Sequence, residues 1–335
     1  MKSRRDKGAA AYIELAGDDD DGLADAKAPR TWVLYRSGWR RFVSWCQENG
    51  VASMPADGPT LKRYLREMNA ANLSAATIEA YIAGIATVHR IHGHAINRTI
   101  LVEPLKAARR RAGPARRAQP MLADELRQIL ARLDRSKALD ARDGALLCFG
   151  WAAALRGAEL VSLDWLRSGG RTAGGAGFVT REPAGHLVTL LSSKSAQVTP
   201  TSIAIPSDEM PSLEGWLDAW VAVSQVQPGE ALFRPVRAGR VGAERLAIDA
   251  VAKIVKRRML DHYTAAGLSL EEASLAARAY SGHSLRRGYC TSAAMSEVPE
   301  WAIRSRSRHR SAAMVARYIG LAESWHQSGL RGVGF

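Results

Sequence analysis

The chain has 335 residues, 47% of them apolar, with a formal charge of +14 and a pI of about 10.1. That length suggests two domains or one large one, and the charge points to a polyanionic partner, nucleic acid before an anionic membrane. No run of about 20 apolar residues offers a spanning helix, and three scattered cysteines, Cys46, Cys148 and Cys290, argue against a disulfide framework or a cysteine zinc site and fit a reducing cytoplasm.

Residues 1–28 hold basic residues and an acidic run, Asp18 to Asp21, but no apolar h-region ahead of it. They read as a flexible tail and not as a secretory signal. From 29 to 112 the pattern is helical. In "TWVLYRSGWRRFVSWCQENG", Tyr35, Trp39, Phe42 and Cys46 recur at helical spacing, with Gly50 as a stop. "TLKRYLREM" repeats this with Leu61, Tyr64, Leu65 and Met68. "SAATIEAYIAGIATVHRIHG" opens on Ser74, a good N-cap, and carries Ile78, Tyr81, Ile82, Ile85 and Val88 as its stripe. A fourth helix is expected over "ILVEPLKAARRR", giving a small helical bundle. The "HRIHGH" run (His89, His92, His94) has no accompanying ligand pattern and reads as a helix end with a loop at Gly93.

"KAARRRAGPARRAQP" joins dense positive charge to Gly113, Pro114 and Pro120. Residues 113–120 are therefore taken as a basic linker suited to a phosphate backbone, followed by a second domain over 121–335. Within it "LADELRQILARL" and "DARDGALLCFGWAAALRGAELVSL" read as helices. "GFVTR", "HLVTLLSSK" and "TSIAIP" read as strands of a small antiparallel sheet. Helices return in "AIDAVAKIVKRRMLDHYTAAG", "SLRRGYCTSAAMS" and "PEWAIRSRS". In the closing "SRHRSAAMVARYIGLAE", Ala313, Met314 and Tyr318 are expected to share one helix face.

Four local patterns carry reactive groups. They are "ALRGAEL" with Arg156 and Glu159, "SSKSAQ" with Lys194, "SGHSLRRG" with His283 and Arg286, and "SRHRSAAMVARYIGLAE" with His309 and Tyr318. Singly, each has an ordinary reading: an i, i+3 ion pair, a solubilising lysine, a helix cap, a packing tyrosine. In this order they resemble the boxes of the tyrosine recombinases, the phage-integrase family. "LRGAELVSL" is similar to the first-arginine box, "GHSLRRGYCTSAA" to the His-x-x-Arg box, and the closing stretch to the His-to-Tyr box. The "HSLRRG" form is similar to the branch that contains the Cre recombinase and many mobile-element integrases. The resemblance runs from about residue 30 to the end. One departure is Arg308, where many family members have glycine before the last histidine.

The resemblance implies a mainly α, two-domain architecture: a helical, SAM-like core-binding domain and a mixed α+β catalytic domain. It implies that Tyr318 attacks a DNA phosphodiester, forms a 3′-phosphotyrosine and releases a 5′ hydroxyl, which a partner strand reverses. Arg156 and Arg286 suit the charge of the phosphorane-like transition state, being always cationic and bidentate, and are expected to lower the Tyr318 pKa. His309 would bind the phosphate, His283 would orient it or take the tyrosine proton, and Lys194 would protonate the leaving oxygen. Glu159 would buttress the site. No metal or other cofactor is called for.

The implied partner is double-stranded DNA with inverted-repeat half-sites, bound by a homotetramer on two duplexes, without membrane involvement, in the cytoplasm and on the nucleoid. Candidate phosphate contacts are Arg109, Arg110, Arg116 and Arg117 at the linker and Lys253, Lys256, Arg257 and Arg258 on one helix. Trp325, Leu330 and Phe335 of the tail are candidate anchors on a neighbouring subunit. Integration and excision of a mobile element is the expected task. The alternatives are resolution of plasmid or chromosome multimers, an inactive sequence-specific DNA-binding protein, and a type IB topoisomerase.

Overall fold

The computed structural model describes residues 12–15, 26–112, 117–166, 175–191, 200–316 and 318. The chain divides into two compact units, Met1–Arg116 and Arg117–Phe335.

In the first unit, α1 (Pro29–Glu48), α2 (Gly58–Ala70) and α3 (Ala75–Ile91) lead through a 3-10 turn (Arg98–Leu101) into α4 (Val102–Ala112). The apolar stripes explain the bundle. Leu61, Tyr64, Leu65 and Met68 of α2 meet Ile78, Ile82 and Ile85 of α3 and Phe42, Trp45 and Cys46 of α1 in one buried cluster. Two N-caps fix the helix starts: Asp57 accepts the Thr60 N–H at 2.8 Å and Ser74 the Thr77 N–H at 3.1 Å. His89 is a core residue. Its Nε2 accepts the Ala56 N–H at 2.9 Å, so its Nδ1 donates to the Ile85 carbonyl, also at 2.9 Å. Burial pushes its pKa down. Among the described residues no group of three His, Cys, Asp or Glu side chains is placed to hold a metal ion.

The second unit is built around α6 (Ala138–Ala152), preceded by α5 (Ala123–Arg132) and followed by the short α7 (Gly157–Val161). Eleven of the fifteen residues of α6 are buried, so this helix is covered nearly all round. It packs on α8 (Pro211–Ser224), with Trp216 and Trp220 in the same core as Leu146, Leu147 and Phe149. The sheet runs β1 (Leu163–Trp165), β2 (Gly177–Glu182), β3 (Gly185–Leu190), β4 (Thr201–Pro206). β2–β3 and β3–β4 are antiparallel, as the sequence suggests. β1 adds in parallel to β2, which makes the sheet mixed. Its three residues are all buried, so no in–out alternation marks them as a strand.

A small hairpin, β5 (Val236–Arg237) and β6 (Arg240–Val241), turns through Ala238 and Gly239, both at positive φ. Then come α9 (Ile248–Ala265), α10 (Leu270–Ala277), α11 (Ser284–Met295) and α12 (Glu300–Ser307). Gly288 lets the chain before α5 lie against α11: a Cβ there would stand 1.7 Å from the Met121 carbonyl oxygen. That segment is pinned, since Met121 N–H donates to Ser284 O at 3.0 Å and Trp151 Nε1 donates to Met121 O at 3.1 Å. The close approach holds the start of α11 against the end of α6. Among the described residues no helix is long and apolar enough to cross a membrane.

Candidate active site

α6 stops at Ala152, and Ala154 takes a left-handed backbone, φ 46°. The turn delivers Arg156 to the N-cap of α7. Glu159, three residues on, reaches back: its Oε2 accepts the Arg156 N–H at 2.8 Å and its Oε1 accepts Arg156 Nη1 at 2.6 Å. The local helix start therefore sets the direction of the Arg156 side chain. Glu159 is buried. Burial works to raise its pKa, but the charges of Arg308 and Arg156 and the Arg156 amide outweigh it and hold the carboxylate ionised, below its ordinary range.

His283 and Arg286 sit at the N-terminus of α11. Arg286 is 1% exposed. Its Nη1 donates to the Ala154 carbonyl at 2.9 Å, while its buried Nη2 has no partner. Burial and the nearby Arg156 and Arg308 push its pKa down to about 10, still cationic at neutral pH. A buried guanidinium with a free N–H is costly on its own, and an incoming anion would satisfy it. His283 is solvent-exposed as a residue, with its pKa lowered by loss of hydration and by Arg286, Arg156 and Arg287.

α12 ends at Ser307; its C-cap, Arg308, is left-handed (φ 56°, ψ 41°), and the chain continues into His309. The His309 ring is buried, with Nδ1 2.6 Å from Ser307 Oγ. Burial, then Arg286, Arg156, His283 and Arg308, push its pKa down to about 4, so the imidazole is neutral. The half-buried Tyr318 ring stands 5.5 Å from the His309 ring, and Arg287 lies over it with Cζ 5.3 Å from the centroid. The Tyr318 phenol is raised in pKa, not lowered as expected. Burial and Cys290 outweigh Arg287, Arg286 and Arg117.

The structure thus gathers Arg156, Glu159, His283, Arg286, His309 and Tyr318 from three chain regions into one electrostatically coupled cluster. Lys194 lies outside the described residues, as do Arg116 and the tail residues Trp325, Leu330 and Phe335. In the closing stretch Ala313 and Met314 are exposed, and Val315 is the buried residue, packed with Cys290 and Ile303. Tyr318 leans on that cluster, so its partner is the residue at i−3.

The cationic helix residues differ among themselves. Lys253 and Lys256 are exposed, with Lys253 paired to Asp249 at 3.1 Å. Arg257 is partly exposed and paired with Asp143. Arg258 is not available to a phosphate. It is buried, donating to Asp143 at 2.7 Å and Asp140 at 2.5 Å. Its position, seven after Val251 and three after Val255, puts it on the inward face of α9. In the first unit Arg109 is exposed and paired with Glu79, and Arg110 is exposed; Arg117, in the second, is exposed too.

Three site residues have no assigned part in the sequence reading: Arg287, Ser307 and Arg308. The Arg286–Arg287 doublet gives no sign that both face the site. The signal at Arg308 is the departure from glycine, intelligible only once its left-handed backbone is seen.

The model of the phage integrase family matches residues 119–324. An integrase/recombinase xerD homolog of Selenomonas ruminantium is 30% identical over 89% of this chain and 83% of its own length. Recombinase cre of Escherichia phage P1 is 24% identical over 65% of this chain and 62% of its own. Among solved structures, XerH bound to palindromic difH substrate in a post-cleavage complex has a TM-score of 0.61 at 15% identity, covering 98% of this chain and 84% of that one. The Tn1549 transposon integrase with transposon right end DNA has a TM-score of 0.56 at 12% identity, covering 99% and 100%. Both share the two-unit fold. The chain belongs to the phage integrase family of tyrosine-type site-specific recombinases.

Proposed function

We propose that the protein cuts and rejoins double-stranded DNA at specific sites through a phosphotyrosine at Tyr318. The observation that carries this is the buried Arg286 with a free Nη2, in the electrostatic field of a Glu159-braced Arg156 and beside neutral His309. Among the described residues, the guanidiniums of Arg156, Arg286, Arg287 and Arg308 outnumber the carboxylate of Glu159 in this cluster. A site with that surplus suits an anion whose negative charge grows during reaction. The phosphodiester of DNA is such an anion, and the charge of +14 supplies long-range attraction to it. The XerH and Tn1549 integrase structures contain DNA, which supports the same partner.

In the reaction, Tyr318 Oη attacks phosphorus and its bond to the 5′ oxygen breaks. The phenolic proton passes to a neutral histidine or water, and the leaving oxygen takes a proton from Lys194. The energy of the broken bond is kept in the phosphotyrosine, and a 5′ hydroxyl from a second strand reverses the step. Because the Tyr318 pKa is raised, a base at the moment of attack matters more than prior ionisation. Of the two histidines, His309 has its ring next to the phenol and holds an unprotonated nitrogen.

A tetramer acts on two duplexes with inverted half-sites. A groove of about 700 Å³ between β4, α11 and α12, with Trp301 exposed on it, receives the C-terminal segment of a second copy through Trp325, Leu330 or Phe335. The task we assign is integration and excision of a mobile element.

The test is covalent trapping. Wild type and Tyr318→Phe are incubated with labelled DNA flanking the gene in its own replicon, in EDTA. An SDS-resistant adduct in wild type alone is expected. Sequence-specific binding without an adduct would instead identify a DNA-binding protein without catalysis, and relaxation of plasmid lacking any specific site would identify a topoisomerase. Recombination between one chromosomal and one circular site, against recombination confined to directly repeated sites in one circle, separates integration from multimer resolution.

A further inference from the structure

We propose that Arg308 is a positioning residue that ties the two phosphate-binding arginines together. Its guanidinium shares an acceptor with each of them. Arg308 Nη2 donates to Glu159 Oε2 at 2.7 Å, and the same carboxylate holds Arg156. Nη2 also donates to the Ala154 carbonyl at 3.3 Å, which is the acceptor of Arg286 Nη1. Nη1 donates to the carbonyls of Ala153 at 3.1 Å and Arg306 at 2.9 Å. One side chain therefore spans the turn after α6, the start of α7 and the end of α12.

The hydrogen-bond inventory separates this part from that of a phosphate ligand. A guanidinium has five N–H donors. The four terminal ones of Arg308 are directed at protein acceptors, which leaves Nε. Arg286 is the reverse: Nη1 is engaged and the whole of Nη2 is free. Arg308 thus holds the frame, while Arg286 keeps donors in reserve.

The backbone gives a second, independent sign. Arg308 is left-handed, a conformation that favours glycine, and so is Ala154, whose carbonyl it binds. A long side chain kept at such a position, 8% exposed and with its terminal donors engaged, has a use that glycine could not meet. The proposal rests on the recombinase reading for its catalytic consequence, but the linkage itself exists in the free protein.

Arg308→Gly is the decisive variant, because glycine accepts this backbone without strain and removes only the side chain. Two measurements are made. In the free protein, arginine Nε–Hε spectra, with Arg156→Lys and Arg286→Lys used to assign the signals, should show faster solvent exchange at Arg156 and Arg286 in Arg308→Gly. Unchanged exchange at both would overturn the linkage. On DNA, Arg308→Gly should lower the rate of adduct formation by at least about tenfold, as for losing a hydrogen bond to a charged group, with DNA affinity unchanged. Arg308→Lys should recover part of the rate, and Glu159→Gln should cost less in Arg308→Gly than in wild type. Full rate in Arg308→Gly, or strict additivity with Glu159→Gln, would overturn the positioning role. If wild type forms no Tyr318-dependent adduct, the recombinase reading fails while the spectra still decide the linkage.

Discussion

Ser307 Oγ lies 2.6 Å from His309 Nδ1 and 2.6 Å from the Ile303 carbonyl. A hydroxyl has one proton, and the carbonyl can only accept. Ser307 therefore donates to Ile303 and accepts from His309, which fixes the imidazole as its Nδ1–H tautomer and leaves Nε2 with a lone pair.

Ser307→Ala removes that constraint. The expected result is a mixed tautomer population in ¹⁵N spectra of His309 and a slower adduct-forming step. Loss of one neutral hydrogen bond, about 1 kcal/mol, corresponds to roughly fivefold in rate. Ser307→Thr should restore both. A tautomer ratio unchanged by the alanine would show that something else orients the ring.

The low His309 pKa makes folding sensitive to acid. The unfolded histidine takes up its proton near 6.5 and the folded one near 4. Between these values the unfolded state binds more protons, so stability falls as pH drops from 6.5 to 4 and levels off below. The loss amounts to about 3 kcal/mol from this residue. Denaturant unfolding from pH 7 to pH 4 should show it, and His309→Gln should flatten that part of the curve. Bound phosphate should move the His309 pKa upward, since it offsets the arginine charges that depress it.

Arg286→Lys tests geometry at constant charge. One ammonium cannot both hold the Ala154 carbonyl from the buried side and present a planar pair of donors to phosphate. Adduct formation should fall by about 100-fold or more, with DNA affinity near wild type. A mild effect would mean that the buried charge alone suffices.

Arg258 and Lys256 are two residues apart, and the structure separates their effects. Arg258→Ala takes an ion-pair partner from both Asp140 and buried Asp143, so unfolding should become easier by about 3 kcal/mol. Lys256→Ala should leave stability unchanged and, if the lysine meets a phosphate, reduce the salt dependence of DNA binding by about one counterion. The reverse pattern would contradict the burial of α9.

Much of this was legible in the sequence where periodicity is clean. Leu61, Tyr64, Leu65 and Met68 repeat at helical spacing and are buried together, and the strands around Val188 and Ile203 alternate as half-covered strands do. Arg156, Glu159, His283, Arg286, His309 and Tyr318, which the structure brings together, could be named from the sequence by type and order, through the resemblance of their boxes to the family's. Three features were not. β1 is too short and too buried to show a period. Arg258 has the same charge as its exposed neighbours, and only the phase of α9 turns it inward. Arg308 and Ser307 act through the carbonyls of residues 153, 154 and 303 and through Glu159, and no linear pattern reveals which carbonyls a turn will present.

Tyr318 rests on Cys290, Ile303 and Val315, a small cluster separate from the large core around α6. Among the described residues, few apolar contacts hold Val315 and Tyr318, so their release is decoupled from unfolding of the large core. Amides near Val315 should exchange with solvent far sooner than those of α6. Tyr318 can then be drawn away from the arginines, or returned to them, at small energetic cost while the helices of the large core stay folded.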